Sequence, residues 1–286
     1  MTHLPGYLEG AVDLHVHSSP DVDRRRFNDL ELARAAQEAG IGAVLIKSHQ
    51  NSTVERAWLA GQCVPGIRVY GGLVLNETVG GLNLAAVRLA LALGARQIWM
   101  PTRSAQNHRM HHGQPGGISI LDAQGTLLLI VEEILRAMAQ SDCILGTGHL
   151  SPQEASVLIE AAAALGVSKI LVTHPEWGPT FYSYEAQKQL ARQPNIFFER
   201  CFVSTTHLCG SVPFETIERA IIDTGVDRTV LSTDLGQPDT PPPAEGLRLY
   251  AERLRSTGFS VDQIRTMMQA NPERLLAHAS PPCETS

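Results

Sequence analysis

His15-Val16-His17 closes an apolar run that begins at Gly10-Ala11-Val12. In an extended strand, residues i and i+2 point to one face. The two imidazoles are therefore aimed at one point, where a strand passes into the loop Ser18-Ser19-Pro20. Neutral imidazole nitrogen is a common metal ligand. Two such rings make half of a metal site, although two unrelated histidines at a strand end would look the same. The other half must come from elsewhere in the chain.

The elements that would bring it there alternate regularly. Apolar runs at 11–16, 42–47, 67–75, 96–100, 143–147, 169–173, 195–199 and 229–233 read as strands. Helical patterns follow at 29–39, 53–61, 82–93, 127–139, 152–165, 184–193, 214–224, 244–256 and 261–269. Several have clear punctuation, such as Ser151-Pro152 at a start and Gly166 just past an end. Continuous apolar strands separated by helices imply a parallel sheet covered by helices. Eight such units in 286 residues predict an α/β fold, a (β/α)8 TIM barrel in one domain over residues 1–280, with a disordered tail at 281–286. A doubly wound open sheet is the alternative, but no GxGxxG follows the first strand. Residues 101–125 read as a long loop holding a small hairpin, and the Pro-rich run 238–243 as an active-site loop.

Active sites of such barrels lie at the C-terminal ends of the strands. The polar residues there are His15 and His17, Lys47 and His49, Asn76 and Glu77, Thr102 and Arg103, His149, His174, Glu199 and Arg200, and Asp234. His15, His17, His149, His174 and Asp234 thus converge on one mouth. Solvated loop histidines and an Asp234 N-cap are the plainer alternatives.

With these residues in this order, the chain resembles the amidohydrolase-like superfamily of metal-dependent hydrolases. The segment Asn271-Pro272-Glu273-Arg274-Leu275-Leu276 also looks like that family's C-terminal helix start. The resemblance implies a divalent metal at the mouth, with zinc expected first and Mn, Fe or Co admitted, as one ion or two. It gives His15, His17 and Asp234 to the more buried ion and His149 and His174 to a second. In mononuclear members, His149 or His174 would instead join the first ion or meet the substrate. Asp234 matches the general base. A metal lowers the pKa of bound water to about 7, and a nearby carboxylate can take its proton.

One departure concerns the bridge. Many binuclear members carry a carboxylated lysine or a glutamate on strand four, whereas this strand ends Met100-Pro101-Thr102-Arg103. Lys47, on strand two, should point into a desolvated mouth where burial disfavours its charge. A carboxylated Lys47 is the expected replacement; a lysine binding a substrate anion or forming a salt bridge is the alternative. His49 and Glu77 keep a second resemblance open, to polymerase-and-histidinol-phosphatase-type phosphoesterases. That fold implies seven strands, and its trinuclear site includes a strand-three glutamate.

On the substrate side, the loop 102–117 is the expected lid, carrying Arg103 and His108 as substrate contacts. Arg103 could clamp a carboxylate bidentately. His111 and His112 read as solvated. Trp177 is expected to wall the pocket, and Arg200 to bind an anion or form an ion pair. Asp13 shares a strand phase with His15 and His17, so it would orient a ligand histidine or anchor the barrel interior by hydrogen bonds.

Composition narrows the class. A net charge of −6 and 5% aromatic residues argue against nucleic-acid binding. Five scattered cysteines without a CxxC pair read as cytosolic thiols. No basic leader precedes an apolar run at the N-terminus, and no apolar run approaches the roughly 18 residues of a membrane span. The expected protein is a cytoplasmic metal-dependent hydrolase of a small polar amide, cyclic amide or lactone, with a homo-oligomer admitted. A one-metal nonoxidative decarboxylase of the same superfamily is the alternative.

Overall fold

The computed structural model describes residues 6–277; the expected tail at 281–286 and Cys283 lie outside them. Eight strands run in sequence order: β1 (Val12–Val16), β2 (Ala43–Ile46), β3 (Arg68–Val74), β4 (Gln97–Trp99), β5 (Ile144–Gly146), β6 (Ile170–Thr173), β7 (Ile196–Cys201) and β8 (Thr229–Ser232). Each pairs with the next in parallel. Closure is confined to the C-terminal end of the β8–β1 seam. There Asp234 N–H donates to the His15 carbonyl at 2.7 Å, and His17 N–H to the Leu235 carbonyl at 2.8 Å. The result is a (β/α)8 barrel, as the apolar strand pattern predicts.

Helices cover the outside: α1 (Asp29–Glu38), α2 (Val54–Cys63), α3 (Leu84–Ala92), α4 (Gln106–His111), α5 (Leu129–Ala139), α6 (Pro152–Ala164), α7 (Tyr184–Leu190), α8 (Phe214–Thr224), α9 (Pro243–Ser256), α10 (Val261–Arg265) and α11 (Asn271–Leu276). Reciprocal capping boxes start α1 (Asn28 with Glu31), α6 (Ser151 with Glu154) and α10 (Ser260 with Gln263). Each satisfies two backbone N–H groups that helix geometry leaves orphaned.

The expected loop at 101–125 contains α4, which has no side-chain cap and no buried residue. With no apolar stripe it leaves no periodic signal. It is fixed instead at its base, where Gln106 N–H donates to the Ile118 carbonyl at 2.8 Å. The expected helix 261–269 is also modified. A π-turn at Thr266–Ala270 joins α10 to α11, whose second residue is Pro272. Proline has no N–H to continue an α-helical ladder, and the wider turn absorbs the mismatch. Asn271 Nδ2 then donates to the Val226 and Thr229 carbonyls at 2.8 and 2.7 Å, fixing α11 to the start of β8.

The barrel interior holds Val12, Leu14, Ala43, Leu45, Val74, Trp99, Ile144, Leu171, Phe197 and Val230, with Leu275 and Leu276 from α11 packed against them. Above this apolar layer, buried polar groups take over: His15, Lys47, Glu199, Ser232 and Thr233. The β1–β2 register shifts between Asp13 and Val16. Val12 and Leu14 therefore pack inward low in the barrel, and His15 and His17 reach the centre above the irregularity. Asp13 consequently does not share their role. Its carboxylate accepts from Thr233 N–H at 3.0 Å, the Thr233 hydroxyl at 2.5 Å and His15 N–H at 3.2 Å. It staples the β8–β1 seam rather than orienting an imidazole. Burial pushes this carboxyl up to about 7 against the pull of those donors.

Among the described residues, no helix is long and apolar enough to cross a membrane.

Candidate metal centre and substrate cleft

Three donors meet at the base of the mouth. His15 Nε2 lies 3.0 Å, and His17 Nε2 2.9 Å, from Asp234 Oδ1. The histidines come from the end of β1 and the aspartate from two residues past β8, so seam closure brings the set together. Asp234 has φ of 53°, a left-handed conformation costly for a non-glycine residue and often found where a site is over-determined. His174 has a similar departure, with φ of 30°. Gly236 makes room beside the seam. A Cβ there would lie 2.1 Å from the His17 carbonyl oxygen, and its φ is 146°.

Glu199 Oε2 sits 3.2 Å from His15 Nδ1, and both side chains are fully buried. The carboxylate places a proton on Nδ1 and leaves the Nε2 lone pair facing Asp234 Oδ1. Two acceptors at 3.0 Å need positive charge beside them, from a second ring proton, the Lys47 ammonium 2.9 Å from Nε2 or a metal ion. The ring accordingly favours the charged state: burial opposes the charge, but Asp234 and Glu199 outweigh it. Conversely, burial and the two imidazoles act in opposite directions on Asp234, and the imidazoles hold its carboxyl well below the usual range. His15, His17 and Asp234 offer donor atoms all within 4.8 Å of one another. Two nitrogens and a carboxylate oxygen so arranged fit a first-row divalent ion.

The remaining mouth residues surround this group. Lys47 Nζ lies 2.9 Å from His15 Nε2, fully buried, and burial lowers its pKa. His174 and His149 stand with ring centroids 5.0 Å apart. Burial holds both neutral, His174 at about 3 and His149 well below the usual imidazole range. His49 stacks on His17 at 5.1 Å between centroids and contacts the Thr102 hydroxyl through Nδ1 at 2.8 Å. Asn76 Nδ2 bonds that same hydroxyl at 2.7 Å, so β2, β3 and β4 are tied at their ends.

A cleft of about 360 Å³ opens above, lined by His17 and Asp234, the rings of His49, His149 and His174, and residues of the surrounding loops. Of the expected substrate contacts, Arg103, His108 and Trp177 line it. His108 Nδ1 lies 2.9 Å from His149 Nδ1, and the Trp177 ring is 5.0 Å from both His149 and His174.

Of the two roles expected for Arg200, the ion pair is found and the substrate contact is not. Arg200 is fully buried and directed away from the cleft, ion-paired with Glu176 and bonded to Gln187 Oε1 at 3.0 Å and Thr224 Oγ1 at 2.8 Å. The strand's period of two gives the reason: Phe197, Glu199 and Cys201 face the interior, so Arg200 faces the helices. Glu77 is also outside the site, exposed and paired with Arg109 at 2.6 Å. His112 is exposed, as expected, and also lines the cleft.

Two contributors escaped the sequence reading. Glu199 was visible as a strand end, and the period of two could have separated it from Arg200. Arg25, one of three consecutive arginines, lines the cleft with a side chain only 2% exposed. Nothing in Arg24-Arg25-Arg26 singles it out.

Solved structures share this architecture. An amidohydrolase from Pseudomonas aeruginosa is 13% identical, with 94% of this chain and 96% of that one covered at a TM-score of 0.62. The probable dipeptidase PvdM from the same organism is 11% identical, covering 93% and 94% at 0.63. A 2,6-dihydroxybenzoate decarboxylase from Rhizobium is 14% identical, covering 94% and 98% at 0.52. At these identities the likeness shows the fold, and at that level the resemblance to amidohydrolase-like barrels is borne out. No curated protein matches the sequence. Residues 10–199, which carry His15, His17, Lys47, His149, His174 and Glu199 but stop before Asp234, match a family described as a family of unknown function (DUF6282), and the chain belongs to that family.

Proposed function

We propose that the protein is a metal-dependent hydrolase acting on an amide, cyclic amide or lactone of a small polar substrate. The observation that carries this reading is the meeting of His15, His17 and Asp234 within 4.8 Å at the floor of a cleft walled by neutral imidazoles. A divalent ion held there, zinc being the first candidate, would polarise the substrate carbonyl and lower the pKa of water. Asp234 takes the proton of the attacking water and returns it to the leaving group. Glu199 fixes the tautomer of His15 so that Nε2 faces the centre. With a single ion bound, His149 and His174, neutral through burial, would be free to donate hydrogen bonds to the developing oxyanion. His108 and Trp177 close one wall.

The burial of Lys47 2.9 Å from His15 supports a carbamate bridge in place of the one that strand four lacks. As a carbamate, the Lys47 nitrogen forms a bond to the carbon of carbon dioxide, one amine proton leaves to solvent, and two oxygens become available beside His15. In that two-ion case His149 and His174 would serve as ligands of the second ion instead.

A one-metal decarboxylase is the second reading, favoured by a specific contact. His149 directs Nδ1 to His108, and His15, His17 and Asp234 are the only three-donor group facing the cleft among the described residues. Metal analysis of the purified full chain, paired with turnover of amides, lactones and aromatic carboxylic acids, tests both readings. Two ions with hydrolysis support the first. One ion with carbon dioxide release from the acids supports the second and overturns the first.

A further inference from the structure

Two guanidiniums reach the cleft from different loops. Arg25 follows β1 and Arg103 follows β4, and both line the cavity that contains Asp234. Each is held by carboxylates outside the lining. Asp21 Oδ2 accepts from Arg25 Nε at 3.1 Å and Nη2 at 3.0 Å, and the Asp21 side chain is fully buried. Asp23 Oδ2 lies 3.4 Å from Arg25 Nη2 and 2.6 Å from Arg103 Nη1, so one oxygen joins the two arginines.

The loop bearing Arg25 is itself anchored. Arg56 bonds Asp29 through Nε at 2.8 Å and the Ser18 carbonyl through Nη2 at 2.8 Å. Arg26 N–H donates to the Gly236 carbonyl at 2.8 Å. Arg25 Nη1 has no hydrogen-bond partner among the described residues. A fixed guanidinium with an unused face in a cleft loses little entropy on binding an anion. Among the described residues, the only carboxylate in the lining, Asp234, is already engaged by two imidazoles. Val203, Leu208 and Trp177 make part of the wall apolar.

We propose that Arg25 and Arg103 together receive a carboxylate of the substrate, so that the substrate is a carboxylic acid with an apolar or aromatic body. This rests on the cleft being the substrate site. A planar carboxylate suits two adjacent guanidiniums, as Asp23 shows from behind. Asp21 and Asp23 are positioning residues.

The test is calorimetric binding of benzoate, benzamide and inorganic phosphate to the zinc-loaded full chain, to Arg103→Gln, and to Arg25→Gln combined with Asp21→Asn. The Asp21 change avoids leaving a buried carboxylate unpaired, and Arg103 is exposed enough to substitute without risk to folding. Wild type is expected to prefer benzoate over benzamide. Either variant should lose about tenfold or more in benzoate affinity while binding benzamide as before. Equal binding of benzoate and benzamide by wild type, unchanged benzoate affinity in Arg103→Gln, or tighter binding of phosphate than of benzoate would overturn the proposal. So would a benzoate preference that vanishes only when zinc is chelated, because the carboxylate would then sit on the metal. Failure of the metal-centre reading is separate: it would appear as zinc affinity unaltered by His17→Ala.

Discussion

The β8–β1 seam and the β4–β5 connection face each other across the cleft and are built differently. The seam places His15, His17 and Asp234 through backbone hydrogen bonds between strand ends, with Asp13 stapling it below. The opposite wall places His108 on α4, a six-residue helix with no buried residue, and His112 at the residue that ends it. Side chains fixed by strand register have little freedom, whereas those on a short surface helix can adjust. A metal centre needs the first kind of support and substrate contacts tolerate the second, which is how the proposed roles divide between the two walls.

Substitutions on the two walls should therefore behave differently. The largest effect is expected at Gly236. Gly236→Ala puts a methyl group against the His17 carbonyl at a strained φ, so the seam must open. Zinc affinity should fall by more than about 100-fold, beyond the range for losing an outer-shell partner. Normal affinity in a folded Gly236→Ala variant would show that the seam does not position the ligands. Glu199→Gln keeps the shape but removes the charge behind His15. Zinc affinity should then drop about 10–100-fold with little change in thermal stability. On the opposite wall, His108→Ala should leave zinc affinity within about twofold and mainly raise KM, because it removes a wall contact rather than a ligand. A loss of zinc comparable to that of Glu199→Gln would move His108 into the metal centre and erase the distinction between the walls.

The same contrast decides what could be read from sequence. His15, His17, His149, His174 and Asp234 end apolar strands, and strand ends in a barrel point to one mouth, so their convergence follows from periodicity. The period of two also separates Glu199 from Arg200, and ignoring it assigned Arg200 to substrate. For Asp13 the sequence left two roles open, and the buried hydrogen-bond anchor is the one found; a register irregularity within β1 decides between them, and nothing in Asp13-Leu14-His15 marks it. His112 and Arg25 lie in connections whose paths are set by tertiary contacts, such as Arg56 with Asp29 and Gln106 with Ile118. Local sequence carries no period for these paths.

The central claim is that His15, His17 and Asp234 hold a divalent ion. Competitive titration of zinc against a chelator, on the full chain and on Asp234→Asn, tests it most directly. The account predicts at least one tightly held ion per wild-type chain and a loss of affinity of about 100-fold or more in Asp234→Asn, with the fold retained by circular dichroism. Equal zinc affinity in the two proteins, or no zinc bound by wild type, would contradict it.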